Sequence, residues 1–116
     1  MTSSIKTLPD RFPIEAQRAF EKIRHRNDFS EVSIVILAAV HDFLPTPPSG
    51  VKRYTKYTEL ADHHRFIEDL SFDSLAIAEL VFFLEDFLSV SVRNADLLGI
   101  STIGELKSFI SGRLQS

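Results

Sequence analysis

The sequence predicts an all-α fold, and three observations carry that prediction. Apolar residues recur at the three- and four-residue spacing of helices, strand-like alternation is scarce, and prolines and capping residues cut the pattern into helix-length segments. The chain has 116 residues, 44% of them hydrophobic with ten Phe, which suits one compact core in one helical bundle.

The first helix is expected from about Pro13 to His25. Proline suits a helix start, where its missing N–H has no partner to lose. Ile14, Ala16, Ala19, Phe20 and Ile23 give a narrow apolar stripe, and Lys22, Arg24 and Arg26 gather near the end, where the helix dipole favours cations. The second is expected from about Phe29 to Leu44. Asp28 and Glu31 have capping-box spacing, Val32, Val35, Ile36, Ala39, Val40 and Phe43 make a wide stripe, and Pro45, Pro47 and Pro48 stop it.

Residues 45–65 read as a long connection, in which Lys52, Arg53 and Lys56 interleave with Tyr54 and Tyr57. Three cations in a loop are a weak nucleic-acid signal, and the expectation is a solvated loop held to the core by a tyrosine. The third helix is expected from Ser74 to Leu88, a short turn at Asn94–Leu98, and the last helix from Thr102 to Leu114. Thr102 and Glu105 have capping-box spacing there, and Ile103, Leu106, Ile110 and Leu114 form the buried face.

Composition excludes several functions. There is no cysteine, hence no disulfide and no thiolate metal site. The N-terminal residues do not read as a signal peptide and no apolar run approaches ~20 residues, so a soluble, cytoplasmic protein without a membrane span is expected. Residues 1–65 hold ten Lys/Arg against eight Asp/Glu, residues 66–116 three against eight. The acidic C-terminal half argues against nucleic acid and for basic protein surfaces. His25, His41 and the adjacent His63 and His64 lack the spacing of a metal site. Ser74 lacks the glycine-flanked turn of a hydrolase nucleophile.

The segment Phe66 to Leu75 carries the chemistry. Ser74 falls at the start of the third helix, where unpaired amides and the dipole favour a phosphate on its hydroxyl. Asp73 or Ser74 acting only as a helix cap is the plainer alternative. The helix that follows has two distinct faces. With Ser74 at zero, Ile77, Leu80, Val81, Leu84, Phe87 and Leu88 cluster at roughly 220–340° as a core face. Leu75, Ala78, Glu79, Phe82, Glu85 and Asp86 cluster at roughly 20–140°. An apolar spot ringed by carboxylates has the character of a docking surface. Phe82 packing on the 45–65 loop or on the N-terminal helix is the competing reading.

Residues 66–111 resemble acyl carrier proteins of fatty-acid and polyketide synthesis. Glu68-Asp69-Leu70 matches the family's lead-in, Asp73-Ser74-Leu75 its attachment motif, and Glu79-Leu80-Val81 with Leu84-Glu85-Asp86 the body of its recognition helix. Ile100-Ser101-Thr102-Ile103 and Phe109-Ile110 match the last helix. The chain departs from the family at Ser71, where glycine is common, at the bulky Phe72, at Ala76, where a carboxylate often stands, and in its longer N-terminus and loop.

The resemblance implies a four-helix acyl-carrier-like bundle at residues 29–116, with a helical extension at 1–28 and a long loop before the recognition helix. It implies a 4′-phosphopantetheine arm, moved from coenzyme A to Ser74 by a phosphopantetheinyl transferase that supplies its own Mg²⁺, with Asp73 and Leu75 as motif neighbours. The arm's thiol carries acyl groups as thioesters, which accommodates the lack of cysteine. The chain itself is then a non-catalytic monomer. Leu75, Ala78, Glu79, Phe82, Glu85 and Asp86 meet acyl-loading, ketosynthase or acyltransferase-type enzymes, and the core between the helices holds part of the acyl chain. An unmodified interaction module using the same face, and a peptidyl carrier for an aminoacyl group, are the alternatives.

Overall fold

The structure, a computed structural model, describes residues 7–45 and 54–114. Five α-helices follow in order among them: α1 (Ile14–Arg26), α2 (Val32–Asp42), α3 (Ser74–Leu88), α4 (Asn94–Leu97) and α5 (Ile103–Leu114), with a 3₁₀ turn at Tyr57–Glu59 between α2 and α3. The described residues contain no strand, so the all-α expectation and the acyl-carrier-like bundle stand. The fragment Lys52-Arg53 and the prolines Pro47 and Pro48 lie outside the described residues.

α2 is the central element, packed against α1, α3 and α5. Its sequence gives the reason. Val32, Val35, Ile36, Ala38, Ala39 and Val40 are all buried and leave no wide polar stripe, so the helix must be covered on several sides. Phe20, Phe66, Phe72, Leu80, Leu84, Ile103, Leu106 and Ile110 complete the core around it.

α1 buries Ala16, Ala19, Phe20 and Ile23, the stripe read from its spacing. Pro13 stands just outside it, its carbonyl accepting the amides of Ala16 and Gln17 at 3.0 and 3.1 Å. The helix ends where Asn27 adopts a left-handed conformation (φ 54°). The amides of Asn27 and Asp28 return to the carbonyls of Ile23 and Lys22.

The capping box expected at Asp28–Glu31 does not form. The Asp28 carboxylate accepts the amide of Ser30 instead, at 3.0 Å. Glu31 pairs with Lys22 across the α1–α2 junction at 3.1 Å. α2 therefore begins at Val32 rather than Phe29, because a two-residue turn satisfies Asp28 first. At its other end α2 stops at Asp42, and Arg11 grips that carboxylate through two nitrogens at 2.7 and 2.9 Å.

The capping box at α5 does form. Thr102 Oγ1 accepts the amide of Glu105 at 3.1 Å, and the Glu105 carboxylate accepts the amides of Thr102 and Ser101 at 3.0 and 2.8 Å. A hydrogen bond from the Ser101 hydroxyl, followed by these amides, holds the Glu105 carboxyl below the usual carboxylate range. Residues 62–66 run antiparallel to this helix start. Phe66 donates to Ser101, Ile103 to His64 and Gly104 to Asp62, at 2.9, 3.1 and 2.9 Å. A Cβ on Gly104 would lie 3.2 Å from the carbonyl oxygen of Asp62, so the close approach there suits glycine. This pairing anchors the segment that leads into α3.

Candidate functional site

The site is assembled from the 65–73 turn, the first turn of α3 and α4. The turn is held from within. Asp69 accepts the amide of Arg65 at 2.8 Å, a bond that together with the Arg65 guanidinium keeps its carboxyl below the ordinary range. Leu70 is buried. Phe72 is fully buried, edge-on to Phe66 with ring centroids 5.3 Å apart, and its amide donates to the Phe66 carbonyl at 2.8 Å. Ser71 sits at φ 62°, the left-handed region. Glycine enters that region freely and serine does so at a cost of roughly 1 kcal/mol. The departure at Ser71 thus preserves a backbone shape that glycine would adopt readily, and Phe72 is accommodated because it points into the core.

Asp73 is the N-cap of α3. It is extended (φ −104°, ψ 178°), its carboxylate accepts the amide of Ala76 at 2.8 Å, and its carbonyl accepts that of Ile77 at 3.0 Å. Capping is thereby satisfied without Ser74. The Ser74 hydroxyl is exposed on the first helical residue and makes no hydrogen bond to any described residue. The plainer alternative is divided: Asp73 caps, and Ser74 does not.

Beside Ser74 lies a cavity of about 460 Å³, lined by Phe66, Ile67, Glu68, Ile77, Asn94, Leu97, Leu98, Ile100 and Ser101 together with Ser74 itself. Its lining is mainly apolar, and Ile67 and Leu98 are strongly exposed beside it (59% and 90%). No sequence spacing points to these walls. Ile67, Asn94, Leu97 and Leu98 are spread over 32 positions, and no periodicity connects them. Asp96 steadies α4 by accepting the Arg93 amide at 2.9 Å and pairing with Arg113 of α5 at 3.1 Å. These groups, the amide foremost, lower its pKa.

The two faces of α3 hold. Leu80, Val81, Leu84 and Leu88 are buried, and Ile77 and Phe87 are partly buried against them. Opposite, Leu75 and Phe82 stand 68% and 58% exposed, flanked by the exposed Glu79 and Asp86 and by the half-buried Ala78. Phe82 is left open, while its neighbour Phe83 is covered by Phe12, just before α1, and by Phe43, at the end of α2. Phe83 stacks on Phe12 at 5.5 Å and on Phe87 at 4.4 Å, Phe43 meets it edge-on at 5.5 Å, and Phe20 meets Phe87 edge-on at 5.6 Å. Glu85 is more covered than Glu79 and Asp86, the other carboxylates of the face. It is half-buried, and its carboxylate accepts the amide of Val92 at 2.7 Å.

His41, His63 and His64 serve backbone and ring contacts, while His25 lies 2.8 Å from the Glu21 carboxylate. His64 Nδ1 accepts the amide of Ala61 at 2.9 Å, its ring packs on Tyr54 and His63, and His41 Nε2 lies 3.1 Å from the Tyr54 carbonyl. Tyr54 therefore packs against the core, and Tyr57, in the 3₁₀ turn that packs on α2, is half-buried as well. Among the described residues no three His, Asp or Glu come together as a metal site, and no helix is long and apolar enough to cross a membrane.

Comparison with known proteins agrees with this geometry. The family model described as "Phosphopantetheine attachment site" matches residues 36–110. The chain is 37% identical to the acyl carrier protein of Thermotoga maritima over 57 residues, 49% of this chain and 70% of that protein. It is 36% identical to the acyl carrier protein of Clostridium perfringens over 53 residues, 46% of this chain and 70% of that one. With the meromycolate extension acyl carrier protein of Mycobacterium tuberculosis it shares 32% over 53 residues, 46% of each chain, so it spans less than half of that relative. The group this family attaches covalently is 4′-phosphopantetheine, and an exposed, unbonded serine hydroxyl at a helix start beside an apolar cavity is a fit for such an arm. The chain belongs to the acyl carrier protein family of phosphopantetheine-attachment proteins.

Proposed function

We propose that the protein is a non-catalytic carrier that takes 4′-phosphopantetheine on Ser74 and presents acyl intermediates to enzymes of fatty-acid, lipid or polyketide-type synthesis. The observation that carries this reading is the division of labour at the start of α3. Asp73 closes the helix end, and the next residue offers a free hydroxyl to solvent. A phosphodiester formed there lies against the first-turn amides, at the positive end of a 15-residue helix. When bound, the group supplies a terminal thiol for thioester chemistry, which this cysteine-free chain lacks.

The remaining residues hold and present. Asp73 and Leu75 flank the attachment hydroxyl. The apolar walls Ile67, Ile77, Leu97 and Leu98 shelter carbon chain next to Ser74. Leu75, Ala78, Phe82, Glu79 and Asp86, with Glu85 at their edge, meet basic and apolar surfaces on a phosphopantetheinyl transferase and on acyl-loading, ketosynthase or acyltransferase-type enzymes. Weak docking through a small face lets one carrier serve several enzymes in turn. In this reading residues 29–116 are the carrier unit, residues 1–28 are an N-terminal extension to it, and the protein acts as a cytoplasmic monomer.

The test is direct. The purified chain, incubated with coenzyme A, Mg²⁺ and a promiscuous transferase, gains one arm of roughly 340 Da, and Ser74→Ala gains none. An unmodified wild-type chain, beside a carrier that is modified in the same tube, overturns the assignment. Thioesters recovered from the native cell then separate an acyl from an aminoacyl cargo.

A further inference from the structure

On the exposed face of α3, the carboxylate of Glu85 is committed to the backbone. Its Oε2 lies 2.7 Å from the amide nitrogen of Val92, in a partly buried position. Its own carbonyl accepts the amides of Ser89 and Val90, the latter at 3.3 Å. Ser89 at φ 56° turns the chain back over the last turn of α3 and brings Val92 within reach. Three amides of the α3–α4 connection therefore end on one residue.

Two residues beyond Val92, α4 begins. A four-residue helix does not hold itself. The Glu85 bond upstream and the Asp96–Arg113 pair on α5 tether it, beside the Arg93–Asp96 cap and the packing of Leu97 on the core. Asn94, Leu97 and Leu98 of this segment form a wall of the cavity beside Ser74. Glu85 also lies one turn from Phe82 on the same helix face. It thus touches the docking face with one side and the cavity wall, through the backbone, with the other.

We propose that Glu85 is a positioning residue. Its carboxylate holds the 89–93 connection, and with it the α4 wall next to Ser74, and this role outweighs its contribution as a charge for a basic partner. A lysine or arginine on a docked enzyme competes with the Val92 amide for the same oxygens, so docking at this edge loosens the wall. The consequence at Ser74 rests on the carrier reading above; the bond to Val92 does not.

Residue-resolved amide hydrogen exchange on the full, unmodified chain tests this. Glu85→Ala is expected to speed exchange of the Val92 amide about tenfold or more, in line with loss of a charge-assisted bond, with the Leu80 and Leu84 amides unchanged as a check on the fold. Glu85→Gln keeps an oxygen acceptor and is expected to recover much of the protection. Glu79→Gln, the same charge change without a backbone partner, leaves Val92 at the wild-type rate. In transferase assays Glu85→Ala is expected to raise KM for the carrier more than Glu85→Gln does. The proposal is overturned if Val92 exchange is the same in Glu85→Ala as in wild type, or if Ala and Gln behave alike, as they would were only charge involved. Failure of the wild-type chain to accept an arm removes the carrier reading, while the exchange comparison still decides the role of Glu85.

Discussion

Replacing Phe20 by alanine measures whether the N-terminal helix is part of the carrier's core. Phe20 is 1% exposed and meets Phe87 of α3 edge-on at 5.6 Å. A buried phenylalanine removes about 200 Å² from water, which at about 25 cal/mol per Å² is roughly 5 kcal/mol and is an upper bound because the unfolded chain is partly compact. Cavity-forming Phe→Ala changes lie at about 3–5 kcal/mol. Phe82→Ala is the internal control. The same atoms are deleted from a ring 58% exposed, so the loss is expected below about 1 kcal/mol. Urea unfolding followed by circular dichroism reads both. With a slope of about 2 kcal/mol/M, Phe20→Ala moves the midpoint down by roughly 2 M and Phe82→Ala by less than about 0.5 M. Equal midpoints for the two variants would refute the claim that α1 shares a core with α3.

Three further outcomes follow from the site's construction. Ser71→Gly should raise stability by about 0.5–1 kcal/mol, since the backbone at φ 62° already suits glycine; an unchanged or lower urea midpoint counts against the strain. Asp73→Ala should lower stability by about 1 kcal/mol through loss of the bond to the Ala76 amide, and Asp73→Asn should restore most of it. Acid should destabilise the fold in a defined window. Glu105, Asp69 and Asp96 have folded pKa values below their ordinary 4.5, 3.8 and 3.8, so the unfolded chain takes up protons first. Their contribution is complete above about pH 5 and is lost as pH falls through the lower folded values. Glu105→Gln should flatten the acid limb of a urea-midpoint titration between pH 6 and 3, and an unaltered limb refutes the role of that capping carboxylate.

Much of the site was legible because it is built from local rules. Asp73-Ser74-Leu75 opens a helix whose first turn needs an acceptor, and Asp73 supplies it. The split of α3 into a buried and an exposed face follows from 3.6 residues per turn, and the burial of Leu80, Val81, Leu84 and Leu88 against the exposure of Leu75 and Phe82 obeys it. Thr102 and Glu105 are three residues apart, so their box closes within one turn. The same spacing misled at Asp28 and Glu31. Ser30 offered Asp28 a nearer donor, and Lys22, nine residues away, captured Glu31.

The sequence by itself determined the helical class, the serine at the start of α3, and the two faces of the helix behind it. These depend on contacts no more than one helical turn apart, which residue order specifies directly. The tertiary structure alone decided that Phe12 and Phe43 would cover Phe83 while Phe82 stayed open, that Ser71 would take a glycine's conformation, and that Ile67, Ile77 and Leu98 would meet around one cavity. It also decided that Glu85, alike in kind to Glu79, would bind the Val92 amide. Each of these depends on where a turn sends the chain next, and a left-handed residue such as Ser89 changes that path without leaving a periodic mark in the sequence.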